Sequence, residues 1–190
     1  MVAGALGFTE LITVFGSRMK ALEVLALLRD VKPVVRQGFY MHELSKVLDF
    51  CHEHHLFVEQ SRHTVLIDDA DSFTNRGRVA SDDKGMRLVY LSKDMMKSAQ
   101  ACLYETRQDH HATGLALGYP VCCVRFFCRE FERGNINPVH VPTNPWTNLT
   151  QREQDACFLS HFPCSSGCEE SILIGKMNFL MLKEADLKSA

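Results

Sequence analysis

Apolar positions recur at helical spacing through the first part of the chain. Leu11, Val14, Leu22, Leu25 and Leu28 share one side of a helix read from Leu11 to Asp30, which Lys32-Pro33 ends. A second helix is read from His42 to His55, with Leu44, Val47, Leu48 and Cys51 on its buried face. The pattern then shortens. Leu56 to Glu59, Thr64 to Ile67 and Arg87 to Leu91 are apolar runs with β-branched and aromatic residues, and they predict a small antiparallel sheet. Asp68 to Gly85 is dense in Asp, Ser, Asn and Gly and reads as an exposed loop.

Helical patterning returns after the sheet. Ser92 is placed to cap a long helix running to about Leu117, and Gly118 to stop it. Pro120 suits the first turn of a further helix reaching about Arg133. Gly134 to Asn148 carries three prolines, four asparagines and Trp146, the composition of a packed loop. Two capping boxes, Thr150 with Glu153 and Ser166 with Glu169, predict a short helix and the last helix. The expected fold class is α+β: a small antiparallel sheet with N-terminal helices, followed by a mostly helical, Cys-rich C-terminal half. One domain is expected over 1–190, with a helical element over 1–40, an α/β part over 41–91 and a helical thiol-site part over 92–190.

Composition narrows the function classes. The 190 residues are 46% hydrophobic and 23% charged, with a formal net charge of −2, so no long-range field favours nucleic acid or an anionic membrane. No run approaches the ~18 apolar residues of a membrane span. The start is moderately apolar but lacks a basic segment and carries Glu10, a poor match to a signal peptide. The eight cysteines are therefore expected as reduced thiols in a cytoplasmic protein.

Helical period separates those cysteines. Cys51, Cys102 and Cys128 continue apolar stripes and read as small core residues; Cys157 is left undecided by its short element. Cys122 and Cys123 are adjacent, so a helix turns them about 100° apart and one apolar stripe cannot use both. They follow the helix start at Gly118-Tyr119-Pro120, while Cys164 and Cys168 flank the turn at Ser165-Ser166-Gly167. Both pairs sit at predicted helix N-termini, where unpaired N–H groups and the helix dipole favour negative charge on sulfur. That is the form a metal, an iron–sulfur cluster or a nucleophilic reaction uses.

His161, three residues before Cys164, is placed to complete a Cys₃His or related site, so the candidate metal ligands are Cys122, Cys123, His161, Cys164 and Cys168. His110 follows Met96, Ala99 and Leu103 at helical spacing and is either a core histidine or a proton-transfer partner of a catalytic Cys123. His52, His54 and His55 lack the spacing of a metal site and read as a solvated helix end. Asp68, Asp69 and Asp71 read as solvated loop residues. The spacings are neither paired C-x-x-C knuckles nor ferredoxin runs, so zinc and an iron–sulfur cluster both stay open. No P-loop, nucleophile elbow or paired-carboxylate motif is present.

The segments Gly118-Tyr119-Pro120-Val121-Cys122-Cys123 and His161-Phe162-Pro163-Cys164-Ser165-Ser166-Gly167-Cys168 resemble a family of uncharacterised prokaryotic proteins with Gly-Tyr-Pro-x-Cys-Cys and His-x-Pro-Cys-Ser-x-x-Cys motifs. Val89 to Asp94 also fits the pattern, and the resemblance extends over about Arg87 to Gly175. It implies that the two motifs work together, and it implies no particular activity.

Three functions follow as expectations. The first is a metal- or iron–sulfur-binding protein, a small enzyme acting on an unidentified small-molecule or protein substrate. The second is metal-free cysteine chemistry: thiol redox, sulfur transfer or covalent thiol catalysis. The third is a non-catalytic interaction module with structural zinc. Neither the substrate nor the oligomeric state is written in the sequence.

Overall fold

A computed structural model describes residues 7–66, 78–80, 84–130, 144–152 and 154–187. Asp68, Asp69, Asp71, Glu153 and most of the Gly134 to Asn148 segment lie outside the described residues. Among those described, the class is α+β: seven helices and one four-stranded antiparallel sheet. The chain divides into two compact units, Met1–Val31 with Pro138–Ala190, and Lys32–Asn137.

In the first unit, α1 (Phe8–Phe15), α2 (Arg18–Leu28) and α7 (Glu169–Leu187) pack on one another. The single helix expected from Leu11 to Asp30 is broken. Gly16 adopts φ 78°, and Ser17 restarts the helix by accepting a hydrogen bond from Lys20 N. The break is reinforced from far along the chain: the Asp155 carboxylate accepts from the Arg18 and Met19 amides and from Ser17 Oγ, filling the open start of α2. Leu149, Cys157 and Leu159 form a small core here, with Met19, Phe162 and Ile174 packed against it. The short helix expected around Thr150 is a run of turns instead. Asn148 Oδ1 accepts from both the amide and the hydroxyl of Thr150, so local side-chain bonding takes the place of a helical turn.

The second unit carries the sheet, in the order β1-β4-β2-β3: β1 (Val35–Phe39), β2 (Phe57–Leu66), β3 (Arg78–Ala80) and β4 (Met86–Ser92). The two runs expected at 56–59 and 64–67 belong to one strand, β2, with a register shift between Gln60 and Thr64. Ser61 makes the shift tolerable. Its hydroxyl accepts from Leu88 N and donates to His63 O, so it replaces ladder partners at the irregularity. Part of the expected 68–85 loop is β3, which pairs with Thr64 to Leu66. β1 lies within the segment expected to be helical; Arg36, Gln37 and Gly38 mask its pattern, although Val35, Gln37 and Phe39 are all buried.

Helix α3 (Met41–Glu53) matches its expected span, and Phe50, Val47, Leu44 and Cys51 are its buried positions. The long helix expected from Ser92 to Leu117 is two helices, α4 (Met95–Thr106) and α5 (His110–Ala116). Asp94, not Ser92, caps α4; Ser92 Oγ accepts from Asp94 N and donates to Pro33 O. Gln108 at φ 59° turns the chain, and Asp109 caps α5 through the Ala112 amide. Val34, Val65, Leu88, Tyr90, Ala101 and Leu117 form a core cluster of this unit.

One charged pair sits at the edge of that core. Arg36 donates two hydrogen bonds to the Glu105 carboxylate, and Tyr90 Oη donates a third at 2.7 Å. Burial, then the Glu105 charge, pushes the Tyr90 phenol above its usual range, while Arg36 opposes the shift. Burial works against the Arg36 charge, but Glu105 more than offsets it, and the guanidinium stays charged. Removing one partner of such a pair leaves an uncompensated charge, at a cost of about 3–5 kcal/mol. Glu105→Gln is thus expected to lower the unfolding free energy by roughly 3 kcal/mol in urea denaturation. A loss below about 1 kcal/mol would place the pair in the regime of solvent-screened surface bridges.

Candidate metal centre

The first pair of thiols is positioned by a corner. Gly118 takes φ 78° and closes α5, with its amide bonded to Leu115 O and the Tyr119 amide to Gly114 O. A Cβ at Gly118 would stand 2.7 Å from Pro33 Cδ, so neither the backbone angle nor the space admits a side chain. Lys32 Nζ donates to Leu117 O at 3.0 Å and lies 4.4 Å from the centre of the Tyr119 ring, which ties the corner to the start of this unit. Pro120 then leads into α6 (Val121–Glu130), with the Val124 amide bonded to Pro120 O. Cys122 and Cys123 occupy the first turn, their sulfurs 3.8 Å apart. Cys123 is 1% exposed and Cys122 is half-buried.

Gly114 lets α5 approach α6 closely. A Cβ there would meet Val124 Cγ2 at 2.8 Å, and Val124 directly follows Cys123. The sequence gives no sign of this role, because a glycine inside a helical pattern otherwise only lowers its propensity.

The second pair of thiols lies on the approach to α7. The Cys168 amide bonds to Ser165 O, and Cys168 O accepts from Ile172 N, so Cys168 immediately precedes the helix. The expected cap at Ser166 is displaced by two residues. Ser166 serves instead through its carbonyl, which accepts from Thr147 Oγ1 at 2.7 Å. His161 Nε2 is 2.9 Å from Ser171 Oγ, and both residues are buried. This bond spans the loop that carries Cys164 and Cys168. Ser171 and Thr147 carry no motif that would single them out in the sequence. Gly175 allows the backbone of Trp146 to lie against α7, since a Cβ there would be 2.7 Å from Trp146 O.

Cys122, Cys123, Cys164 and Cys168 form a group whose four sulfur atoms all lie within 4.8 Å of one another, and which can hold a metal ion. Cys123 and Cys168 are buried, Cys122 and Cys164 half-buried. His161 is outside this four-sulfur group and faces Ser171. His110 is the first residue of α5 and is half-buried; the helical register that aligned it with Met96 and Leu103 ends at Gln108.

Of the other cysteines, Cys51, Cys102 and Cys157 pack in or against the cores. Cys51 is fully buried, and burial pushes its thiol up to about 12. Burial also raises Cys102 and Cys157, the latter against the opposing charge of Arg152. Cys157, undecided from sequence, belongs to the Leu149–Leu159 core. None of the eight cysteines is in a disulfide. His52 lies in the last turn of α3, His54 caps it and packs on Phe50 at 4.2 Å, and His55 has φ 54°, the arrangement of a helix end. Among the described residues, no helix is long and apolar enough to cross a membrane. Comparison of the chain with protein-family models, with curated proteins and with solved structures finds no match.

Two outcomes follow from this geometry. Gly114→Ala should cost about 1–3 kcal/mol of stability and weaken metal retention by shifting α6, and adding Val124→Ala should recover most of both, as read by denaturation and competition with a chelator. An uncompensated Gly114→Ala effect in the double variant would show that the contact does not position α6. The raised Cys51 thiol stabilises the fold fully below 9.0, and that contribution is lost as pH climbs towards about 12. Across that window, Cys51→Val should lose stability less steeply than the native chain.

Proposed function

We propose that the chain is a zinc protein whose metal is held by the thiolates of Cys122, Cys123, Cys164 and Cys168. The observation that carries this reading is the spacing of the sulfurs. A tetrahedral zinc site with Zn–S bonds of about 2.3 Å has sulfurs about 3.8 Å apart. The Cys122–Cys123 separation is 3.8 Å, and the whole group falls within 4.8 Å. A cubane iron–sulfur cluster binds each thiolate to a different iron and needs a wider set of sulfurs. The donor chemistry agrees, because an all-thiolate shell suits zinc far better than magnesium or calcium.

Four protein ligands close a tetrahedral shell, which supports a structural site rather than one that keeps a position open for water. Bound zinc then contributes directly to folding free energy. The Gly-Tyr-Pro-x-Cys-Cys and His-x-Pro-Cys-Ser-x-x-Cys motifs are read as the two halves of this one centre. The buried His161–Ser171 pair supports the loop that presents Cys164 and Cys168.

A second reading, cysteine chemistry without a metal, draws on the half-exposure of Cys122 and Cys164, either of which could meet a substrate. Thiol labelling separates the two. Anaerobically purified protein is expected to carry about one zinc per chain, without a visible absorption band, with the four thiols protected together. Cys123→Ser combined with Cys164→Ser should abolish the zinc and expose the remaining pair to alkylation. Iron with a visible band would assign a cluster instead. Metal-free protein with one fast-reacting thiol would replace the zinc reading with a cysteine nucleophile.

A further inference from the structure

The four sulfurs of the centre are not equally sheltered. Cys123 and Cys168 are buried while Cys122 and Cys164 are half-buried, so each motif turns one cysteine towards solvent and keeps one inside. The turn that carries Cys164 is itself at the surface. Ser165 and Gly167 are exposed, and a Cβ added at Gly167 would meet nothing within 4 Å. Solvent access and a neighbouring thiol are together the marks of a redox-responsive cysteine.

Both pairs meet that description by distance, since Cys122 lies 3.8 Å from Cys123 and Cys164 lies within 4.8 Å of Cys168. Chain geometry separates them. Adjacent residues have Cα atoms about 3.8 Å apart across a trans peptide, short of the roughly 4.4–6.8 Å that a disulfide spans. Cys122 and Cys123 are also fixed in the first turn of α6. Cys164 and Cys168 have three residues between them, all outside any helix, so this turn can adjust to a bond. Cys168 stands immediately before α7, where the helix start favours the thiolate that resolves an oxidised partner.

Resting on the zinc reading, we infer that the centre is a peroxide-responsive zinc switch in which Cys164 is oxidised and Cys168 resolves it. The Cys164 thiolate attacks hydrogen peroxide; an S–O bond forms as the O–O bond breaks and hydroxide leaves. The Cys168 thiolate then attacks the Cys164 sulfur; the disulfide forms as the S–O bond breaks and a second hydroxide leaves. Two electrons pass from the sulfur pair to the peroxide, and each hydroxide takes a proton from solvent. Only Cys122 and Cys123 then remain as ligands, half of the tetrahedral shell, and zinc is lost to solvent. A dithiol reductant reverses the change by thiol–disulfide exchange.

The test is titration of the zinc-loaded full chain with hydrogen peroxide in anaerobic buffer free of reductant. A chromophoric chelator reads released zinc, and alkylation with peptide mass spectrometry maps the thiols. About one zinc should leave per peroxide consumed, with Cys164 joined to Cys168 and with Cys122 and Cys123 newly open to alkylation. Dithiothreitol with added zinc should restore the bound metal. Cys102→Ala removes a half-buried thiol outside the centre and should release zinc at an unchanged rate; a slower release would make Cys102 the reactive thiol and overturn the inference. Zinc retained under about a 10-fold excess of peroxide also overturns it, and leaves the zinc reading standing. So does release with a Cys122–Cys123 bond, with a bond between the two motifs, or with sulfinic acids and no disulfide. Protein purified without zinc fails the zinc reading and this inference together.

Discussion

Four sulfur atoms within 4.8 Å of one another can share that space in two ways. They are neutral thiols, or a cation sits among them. Two unit negative charges about 4 Å apart repel by roughly 4 kcal/mol even at an effective dielectric constant of 20. A helix N-terminus returns only about 0.3–1 kcal/mol per charge, so the starts of α6 and α7 cannot by themselves hold the group ionised. A divalent cation can, because each thiolate then gains an attraction at bond distance that outweighs its repulsions. Neutral thiols avoid the repulsion but gain little from meeting: a thiol packs as a small hydrophobe, as Cys51 and Cys157 do singly. Convergence of all four is the arrangement that metal binding explains.

Much of the surrounding structure fixes the chain on either side of those sulfurs. Gly118 against Pro33 sets the corner before α6, and Gly114 against Val124 sets the distance of α6 from α5. The bonds Thr147–Ser166 and His161–Ser171 hold the approach to α7. These are close contacts with glycines or polar pairs at their centres, and the His161–Ser171 pair is buried. Substitutions away from the thiols can therefore act on the site through position alone.

The site was more legible than the elements around it. Adjacent cysteines cannot both serve one helical stripe, and two cysteines flanking a turn serve none, so the four chemically distinctive thiols stood apart from the four in apolar register. Most helices were also readable, the one expected around Thr150 excepted, but helix continuity was not. At Gly16-Ser17 and at Gln108-Asp109 the apolar period runs on while the backbone turns, because a single residue at positive φ redirects the chain without disturbing composition. Strand β1 was hidden because its middle is Arg36-Gln37-Gly38; Arg36 is polar in sequence yet satisfied by Glu105, and Gly38 gives the Met86 side chain room. The His161–Ser171 bond could not be read, since nothing local marks a histidine and a serine ten positions apart as partners.

The most direct test of the central claim is X-ray absorption at the zinc edge of the purified protein. The account predicts four sulfur neighbours at about 2.3 Å and no metal–metal scattering. Nitrogen or oxygen in the first shell, or a second metal close by, would contradict a closed four-cysteine zinc site.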